Sequence, residues 1–295
     1  MKRSLIALSF LIFALFIGNW TIRTPESLPQ KDSYIHSLKR KIFHTLLGMK
    51  RDFYSNNHVP LCKDKIDIVI LASEQDLITL PHTIDAANGL VMHPINKIYV
   101  VGTDSKKIKD IATSKNAEFV DIDKILPNTP QKQKYEIVKL VADSFTQSDY
   151  YLVIHANTIL LQTQIFLRSN KSVLFATMDY SIENKSSIDS IFKFGQYYNL
   201  GFTGPIMFFD KMKLKSLKNH LEKLHNKPWL DIINIENFSA FEAYASFVLT
   251  IFPEETVITC DRNVHISASN ANGIEWQRGF LSRTYKSLTF QRILS

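Results

Sequence analysis

The stretch that most constrains the fold is residues 148–161, SDYYLVIHANTILL. The apolar run over 150–154 reads as a fully buried strand, and it stops at His155-Ala156-Asn157 before a second apolar run begins. Side chains alternate along a strand, so those at 155 and 157 are expected to point the same way, out of the sheet's carboxyl edge. Ligands of open α/β sheets bind at that edge. His155 and Asn157 are therefore the first candidate site residues.

On both sides of this stretch strand and helix patterns alternate. IDIVILA (66–72) reads as a first buried strand and KIYVV (97–101) as a second, with a helix between them around 77–88. A short third strand falls at 117–120, and a helix over 131–144 leads into the central strand. This alternation implies a parallel sheet with right-handed crossovers. Further on, 173–177 and GPIMFF (204–209) read as strands, 211–225 as a strongly basic exposed helix, and 241–252 as a mostly buried helix. The fold class expected is α/β, a Rossmann-like, mainly parallel mixed sheet sandwiched by helices. No Gly-x-Gly-x-x-Gly and no Walker loop is present, so neither a dinucleotide fold nor a P-loop is supported.

The formal charge of +7 is unevenly placed: up to Lys65 there are 11 Lys and Arg against 4 Asp and Glu, and beyond it 24 against 24. A neutral domain lacks the basic face that a nucleic-acid binder needs, so no nucleic-acid partner is expected. Cys62 and Cys260 are too few for a disulfide framework and lack zinc-like spacing. Two thiols or one bridge remain open.

Lys2-Arg3 precede an uncharged run over 4–20, about 17 residues, at the short end of what spans a bilayer, and Trp20 suits its interface. Residues 1–22 are expected to be an N-terminal membrane anchor; a signal peptide is the other reading, although no clear A-x-A-like site follows. Residues 23–62 form a basic stem in which Ile35, Leu38, Ile42, Leu46, Met49 and Phe53 make one apolar stripe opposite Lys39, Arg40, Lys41, Lys50 and Arg51. Such a helix either packs on the domain or lies on an anionic membrane surface. The globular domain is expected over 63–295. Asn170, Asn184 and Asn237 match the loose N-glycosylation pattern, which does not establish a secretory route.

The order of these segments resembles GT-A-type glycosyltransferases. IDIVILA is similar to their nucleotide-binding first strand, HPINKIYVVG to their second, and SDYYLVIHANTILL falls where they carry an Asp-x-Asp. GFTGPIMFFDK resembles their acceptor-side strand, and ENFSAFEAYASFVLTIFP resembles the FSEYELYG-type helix of an uncharacterised bacterial GT-A-like family. The likeness covers roughly 65–253. It implies sugar transfer from a nucleotide-sugar donor to a glycan or other acceptor. The base would lie near Ala72, Ser73, Glu74 and Asp76, the diphosphate at His155 and Asn157, and the acceptor near 202–205 and Glu242.

The chain departs from the family where charge matters. His155 and Asn157 replace the two carboxylates, Lys134-Tyr135-Glu136 replaces a Trp-containing Gln-Gln segment with Lys139-Leu140 retained, and Ala240 replaces the first Glu of the late helix. Imidazole suits softer metals than Mg²⁺ does carboxylate oxygen, so His155 and Asn157 either hold Mn²⁺ with help from Glu242 or His265, or leave the diphosphate to Lys132, Lys134 or Lys139 without metal, or simply end a strand. Glu242 either acts as general base or closes the capping box of Ser239-Ala240-Phe241-Glu242, the commoner use. Asp179 either contacts the sugar or closes a turn. The rival function class is a catalytically inactive relative that binds a nucleotide, a glycan or a protein partner.

Orientation follows from charge. Arg23, Lys31, Lys39 and Arg40 follow the expected anchor while Lys2 and Arg3 precede it, which places the domain in the cytoplasm by the positive-inside bias, against the Golgi lumen usual for such domains in eukaryotes. Protease added to right-side-out spheroplasts should leave the domain intact; digestion there, or glycan on Asn170, Asn184 or Asn237 in a eukaryotic host, reverses the assignment.

Overall fold

The computed structural model describes residues 63–177, 182–192, 200–267 and 274–291. The expected anchor, the stem with Cys62, and Asp179 lie outside them. Among the described residues no helix is long and apolar enough to cross a membrane.

The first half alternates as its hydrophobic pattern predicts: β1 (Ile66–Leu71), α1 (Leu80–Leu90), β2 (Ile95–Gly102), α2 (Lys106–Ser114), β3 (Glu118–Asp121), α3 (Ile122–Ile125), α4 (Gln131–Val141) and β4 (Tyr150–His155). There follow β5 (Thr158–Leu160), β6 (Leu167–Arg168), β7 (Lys171–Ala176), α5 (Ile182–Phe192), β8 (Ile206–Asp210), α6 (Lys211–His225) and α7 (Trp229–Ile233). The last elements are α8 (Ala240–Ile251), β9 (Thr256–Cys260), β10 (Asn263–Ser267), α9 (Ile274–Leu281) and β11 (Ser287–Gln291).

The main sheet has the order β3-β2-β1-β4-β8, its first four strands parallel and β8 antiparallel to β4. Strand alternation divides its side chains between two cores. Val69, Leu71, Tyr99, Val101, Tyr151 and Val153 face α4, α5, α6 and α8, while Ile66, Ile68, Ile70, Val100, Leu152 and Ile154 face α1 and α2. The expected sandwich is present, with β1 and β4 both interior.

Two expectations need correction. The strand expected at 173–177 is β7, and it joins a separate three-stranded sheet, β6-β7-β9, while β10-β11-β5 forms another. β7 pairs in parallel with β9, Ser172 opposite Thr256, and a partner so far along the chain leaves no local pattern. The basic helix α6 is not simply exposed: Leu214, Leu217 and Leu221 are buried, and so is Lys213, whose Nζ lies 3.3 Å from a Glu255 carboxylate oxygen. Asn170 finds a local explanation, because Ser169 and Asn170 have φ of 48° and 62° between the antiparallel β6 and β7. Two left-handed residues in a two-residue hairpin turn are what strand twist demands.

Polar groups fix both ends of the sheet. At the amino edge the buried Asp67 carboxylate accepts from the Lys97 and Gln147 amides (3.1 and 2.5 Å), the Ser148 amide (2.7 Å) and Asn96 Nδ2 (2.9 Å), tying β1 to β2 and to the loop before β4. At the carboxyl edge β2 ends in Gly102, where a Cβ would meet the Ala72 carbonyl oxygen at 2.6 Å. No larger residue fits there without moving backbone.

His93 is buried, and its Nε2 accepts from the Phe166 amide at 2.9 Å while Nδ1 has no partner among the described residues. Burial pushes its pKa below the ordinary value of 6.5, with Asp64 opposing. Protonation in the folded state would bury a charge and remove the acceptor of Phe166. The stabilisation is thus complete above pH 6.5 and is lost as pH falls toward the lowered folded pKa. Chemical denaturation at pH 7.5 and 5 should show this loss. A His93→Phe variant should flatten the pH dependence while costing about 1–3 kcal/mol at pH 7.5 through the stranded Phe166 amide.

Candidate active site

The ends of β1 and β4 bring the Ala72 loop and His155 together at one edge. Tyr135 donates its hydroxyl to the Ala72 carbonyl (3.0 Å), and Glu74 accepts from Ser105 Oγ (3.0 Å), joining the loops after β1 and β2. Asp76 is buried, and one carboxylate oxygen accepts both the Ser73 amide (2.9 Å) and Ser73 Oγ (2.7 Å). Ser73 and Asp76 therefore shape this loop by capping each other.

Aromatic packing connects Lys139 to His155. The Phe241 ring stacks on the His155 ring with centroids 5.9 Å apart, and Lys139 Nζ lies 4.3 Å from the Phe241 centroid. Lys139 is buried and paired with Glu136 at 2.5 Å, and the other Glu136 oxygen accepts from the Ala240 amide at 3.0 Å, at the start of α8. Lys134 is instead occupied by Asp123.

Glu242 forms only half of the expected capping box. Its amide donates to Ser239 Oγ at 3.4 Å, but its carboxylate turns away and accepts from the Phe202 amide at 2.7 Å. Tertiary structure offers a closer donor than its own helix end. Glu242 is 3% exposed, and its Oε2 is buried with no hydrogen-bond partner among the described residues. Burial pushes its pKa up to about 7, with the Phe202 amide offsetting part of the rise.

A second carboxyl group meets the same segment, and nothing local in the sequence pointed to it. Asp261 directly follows β9, its amide donating to the Ala176 carbonyl at 2.8 Å. A Cβ on Gly204 would lie 3.0 Å from Asp261 Oδ2, so glycine permits this approach. Burial lifts the Asp261 pKa to about 7 against the Asn263 amide and Lys286, which lower it. Glu242 and Asp261 thus contact Phe202 and Gly204, with exposed Thr203 between them. The strand-end rule that selects His155 would have selected Asp261 had β9 been legible.

The proposed metal ligands take other roles. β4 ends at His155, so the alternation needed to align residue 157 stops, and Asn157 Nδ2 donates to the Phe290 carbonyl at 2.8 Å. His265 is exposed on β10, with Nε2 3.1 Å from Asn263 Nδ2. In the register it lies across β11 from Thr158, two strand spacings or about 10 Å away. Among the described residues no group of three or more His, Cys, Asp or Glu could hold a metal ion. His155 and His265 thus stand on different sheets, and the Asn157 amide is directed to Phe290.

No protein-family model matches the sequence, and no curated protein matches it. The fold has solved counterparts, and it is a GT-A-type, glycosyltransferase-like fold. The bifunctional glycosyltransferase WbbM aligns over 79% of this chain and 47% of its own, with a TM-score of 0.50 and 9% identity, so this chain spans about half of that protein. Galactosyltransferase LgtC, solved with donor and acceptor sugar analogues, aligns over 77% of this chain and 87% of its own, with 13% identity and a TM-score of 0.42. Mouse xyloside xylosyltransferase 1 aligns over 76% and 97%, with 9% identity and a TM-score of 0.43.

The raised pKa of Glu242 has a stability consequence. A carboxyl that binds its proton more tightly when folded favours folding below its unfolded pKa near 4.5, and that advantage is lost as pH rises through about 7. Glu242→Gln keeps the acceptor for Phe202 and abolishes the titration. Denaturation midpoints should show the variant more stable than the parent by about 1–3 kcal/mol at pH 8 and nearly equal to it at pH 4.5.

Proposed function

We propose that this protein transfers a sugar from a nucleotide-sugar donor to a hydroxyl-bearing acceptor, a glycan or another molecule, with Glu242 as general base. The observation that carries the reading is the buried Glu242 Oε2, unpartnered among the described residues, on a carboxyl group whose pKa is about 7. It lies on the helix whose Phe241 stacks on His155, at the sheet edge where ligands of such folds bind. A base poised near neutral pH is what deprotonating a hydroxyl requires.

In this mechanism the acceptor oxygen bonds to the anomeric carbon as the bond from that carbon to the diphosphate breaks. The bonding pair leaves with the diphosphate, and the hydroxyl proton passes to Glu242. His155 and Lys139 flank the leaving group. The positive charge of Lys139 is balanced by Glu136, so the site relies on directed N–H donors more than on net charge. Asp261 binds a sugar hydroxyl beside Thr203. Among the described residues no cluster of three or more His, Cys, Asp or Glu stands ready for a metal, so each step here is carried by side chains and added Mn²⁺ is a variable of the test. The sequence of residues 1–62 supports a membrane-attached protein whose domain faces the cytoplasm, or the Golgi lumen in a eukaryotic host.

A second reading, a catalytically inactive nucleotide- or glycan-binding relative, is favoured by the Asn157 amide being spent on Phe290. The two separate in one experiment. Full-length protein in detergent is incubated with a panel of nucleotide sugars, with and without Mn²⁺, and released nucleoside diphosphate is measured. Turnover is expected, and Glu242→Gln should lower kcat by about 10²–10⁴ with little change in KM. Nucleotide binding without turnover selects the second reading, and absence of turnover rejects the first.

A further inference from the structure

We infer that the opposite edge of the main sheet carries a second cleft, built to bind a neutral oligosaccharide. The cleft, about 330 Å³, lies between α6, the start of α7 and the residues before β4. That is at the lower end of the range for small-molecule clefts, roughly 300–1,000 Å³.

Trp229, half-buried, forms the cleft's aromatic surface. It is fixed from two directions: its amide donates to a Glu222 carboxylate oxygen at 3.3 Å, and Lys218 Nζ lies 4.4 Å from its ring centroid. Lys218 in turn is held by both Asp143 carboxylate oxygens at 2.7 Å. A ring braced in this way meets a ligand at little conformational cost.

The polar lining is balanced in charge. Lys211, Lys215 and Lys218 fall at spacings of four and three along one face of α6, and Asp143, Asp149 and Glu222 oppose them. Three positive and three negative groups leave no net field to select an anion or a cation. Lys211 Nζ donates to the Thr146 carbonyl at 2.6 Å and Lys218 to Asp143, so Lys215, Asn219 and Asp149 are the donors and acceptors left to meet a ligand around the aromatic surface. A sugar ring has the complementary character, with C–H groups on its faces and hydroxyls at its edge that both donate and accept. Lys215 and Asn219, four residues apart, are exposed at the mouth, where Met212 adds an apolar edge.

Asp149 immediately precedes β4 and Lys211 immediately follows β8, whereas His155 and Pro205 mark the opposite ends of those strands. The six residues of β4 therefore separate cleft and candidate active site by about 20 Å. The occupant is a separate glycan unit or the distant part of a long acceptor. The inference rests on the chemistry of the cleft and does not require catalysis at Glu242.

The test uses the full chain in detergent and neutral hexasaccharides of glucose, N-acetylglucosamine, galactose and mannose, with saturation-transfer NMR and tryptophan fluorescence as readouts. At least one should bind. Truncating a single hydrogen-bonding side chain, Asn219→Ala or Lys215→Ala, should weaken it about five-fold or more. Trp229→Ala should abolish binding, and Glu242→Gln should leave it unchanged. The two exposed positions keep the test decisive if the tryptophan variant misfolds. No binding across the panel, binding indifferent to all cleft variants, or tighter binding of sulfated analogues overturns the inference. Glycan binding at the cleft without nucleotide-sugar turnover upholds it and counts only against the catalytic reading.

Discussion

β4 is paired along its whole length, to β1 in parallel from Tyr150 to His155 and to β8 antiparallel from Tyr150 to Ile154. Its middle residues, Tyr151 to Ile154, are fully buried, so a slip of one residue would exchange its two faces between the two cores. This register fixes His155 opposite Leu71 and beside Pro205, whose carbonyl accepts the His155 amide at 3.1 Å. The following turn and the segment before β8 inherit their positions from it. Phe202 can therefore present its amide to Glu242, and Gly204 can pass close to Asp261.

The buried charges fall into two kinds, and the difference separates scaffold from site. Asp67 is held by four donors, and Lys213 is held by Ser172, Glu255 and the Glu255 carbonyl. Groups so fully engaged serve the fold, since leaving any of them unpaired would cost several kcal/mol. Glu242 has one donor and a spare buried oxygen, and its environment favours the proton. Such a group is costly to the fold, and that cost sets it apart from the fully engaged charges.

The turn after β4 is held by its own side chains. Here the chain directs an imidazole onto Phe241 and an amide onto Phe290. Those contacts bind the turn after β4 to α8 on one side and to β11 on the other. The carboxyl groups of this region come from α8 and from the residue after β9, and both approach the segment before β8, at Phe202 and Gly204.

The sequence by itself determined the first half of the fold. IDIVILA, KIYVV and YYLVI are apolar runs too regular to be anything but buried strands, and the helices between them carry their own periodicity, because burial and local geometry are written in neighbouring residues. It also offered a likeness in segment order that the fold bears out, and for Glu242 it left a capping role ahead of a catalytic one. The tertiary structure decided what lies far apart in the chain. It placed β7 in a second sheet, turned the Glu242 carboxylate to Phe202 forty positions away, brought Asp261 to Gly204, and set Asn157 against Phe290. Each of these depends on a close approach between distant segments, and a side chain's hydrogen-bond partner and desolvation are fixed only when those segments meet.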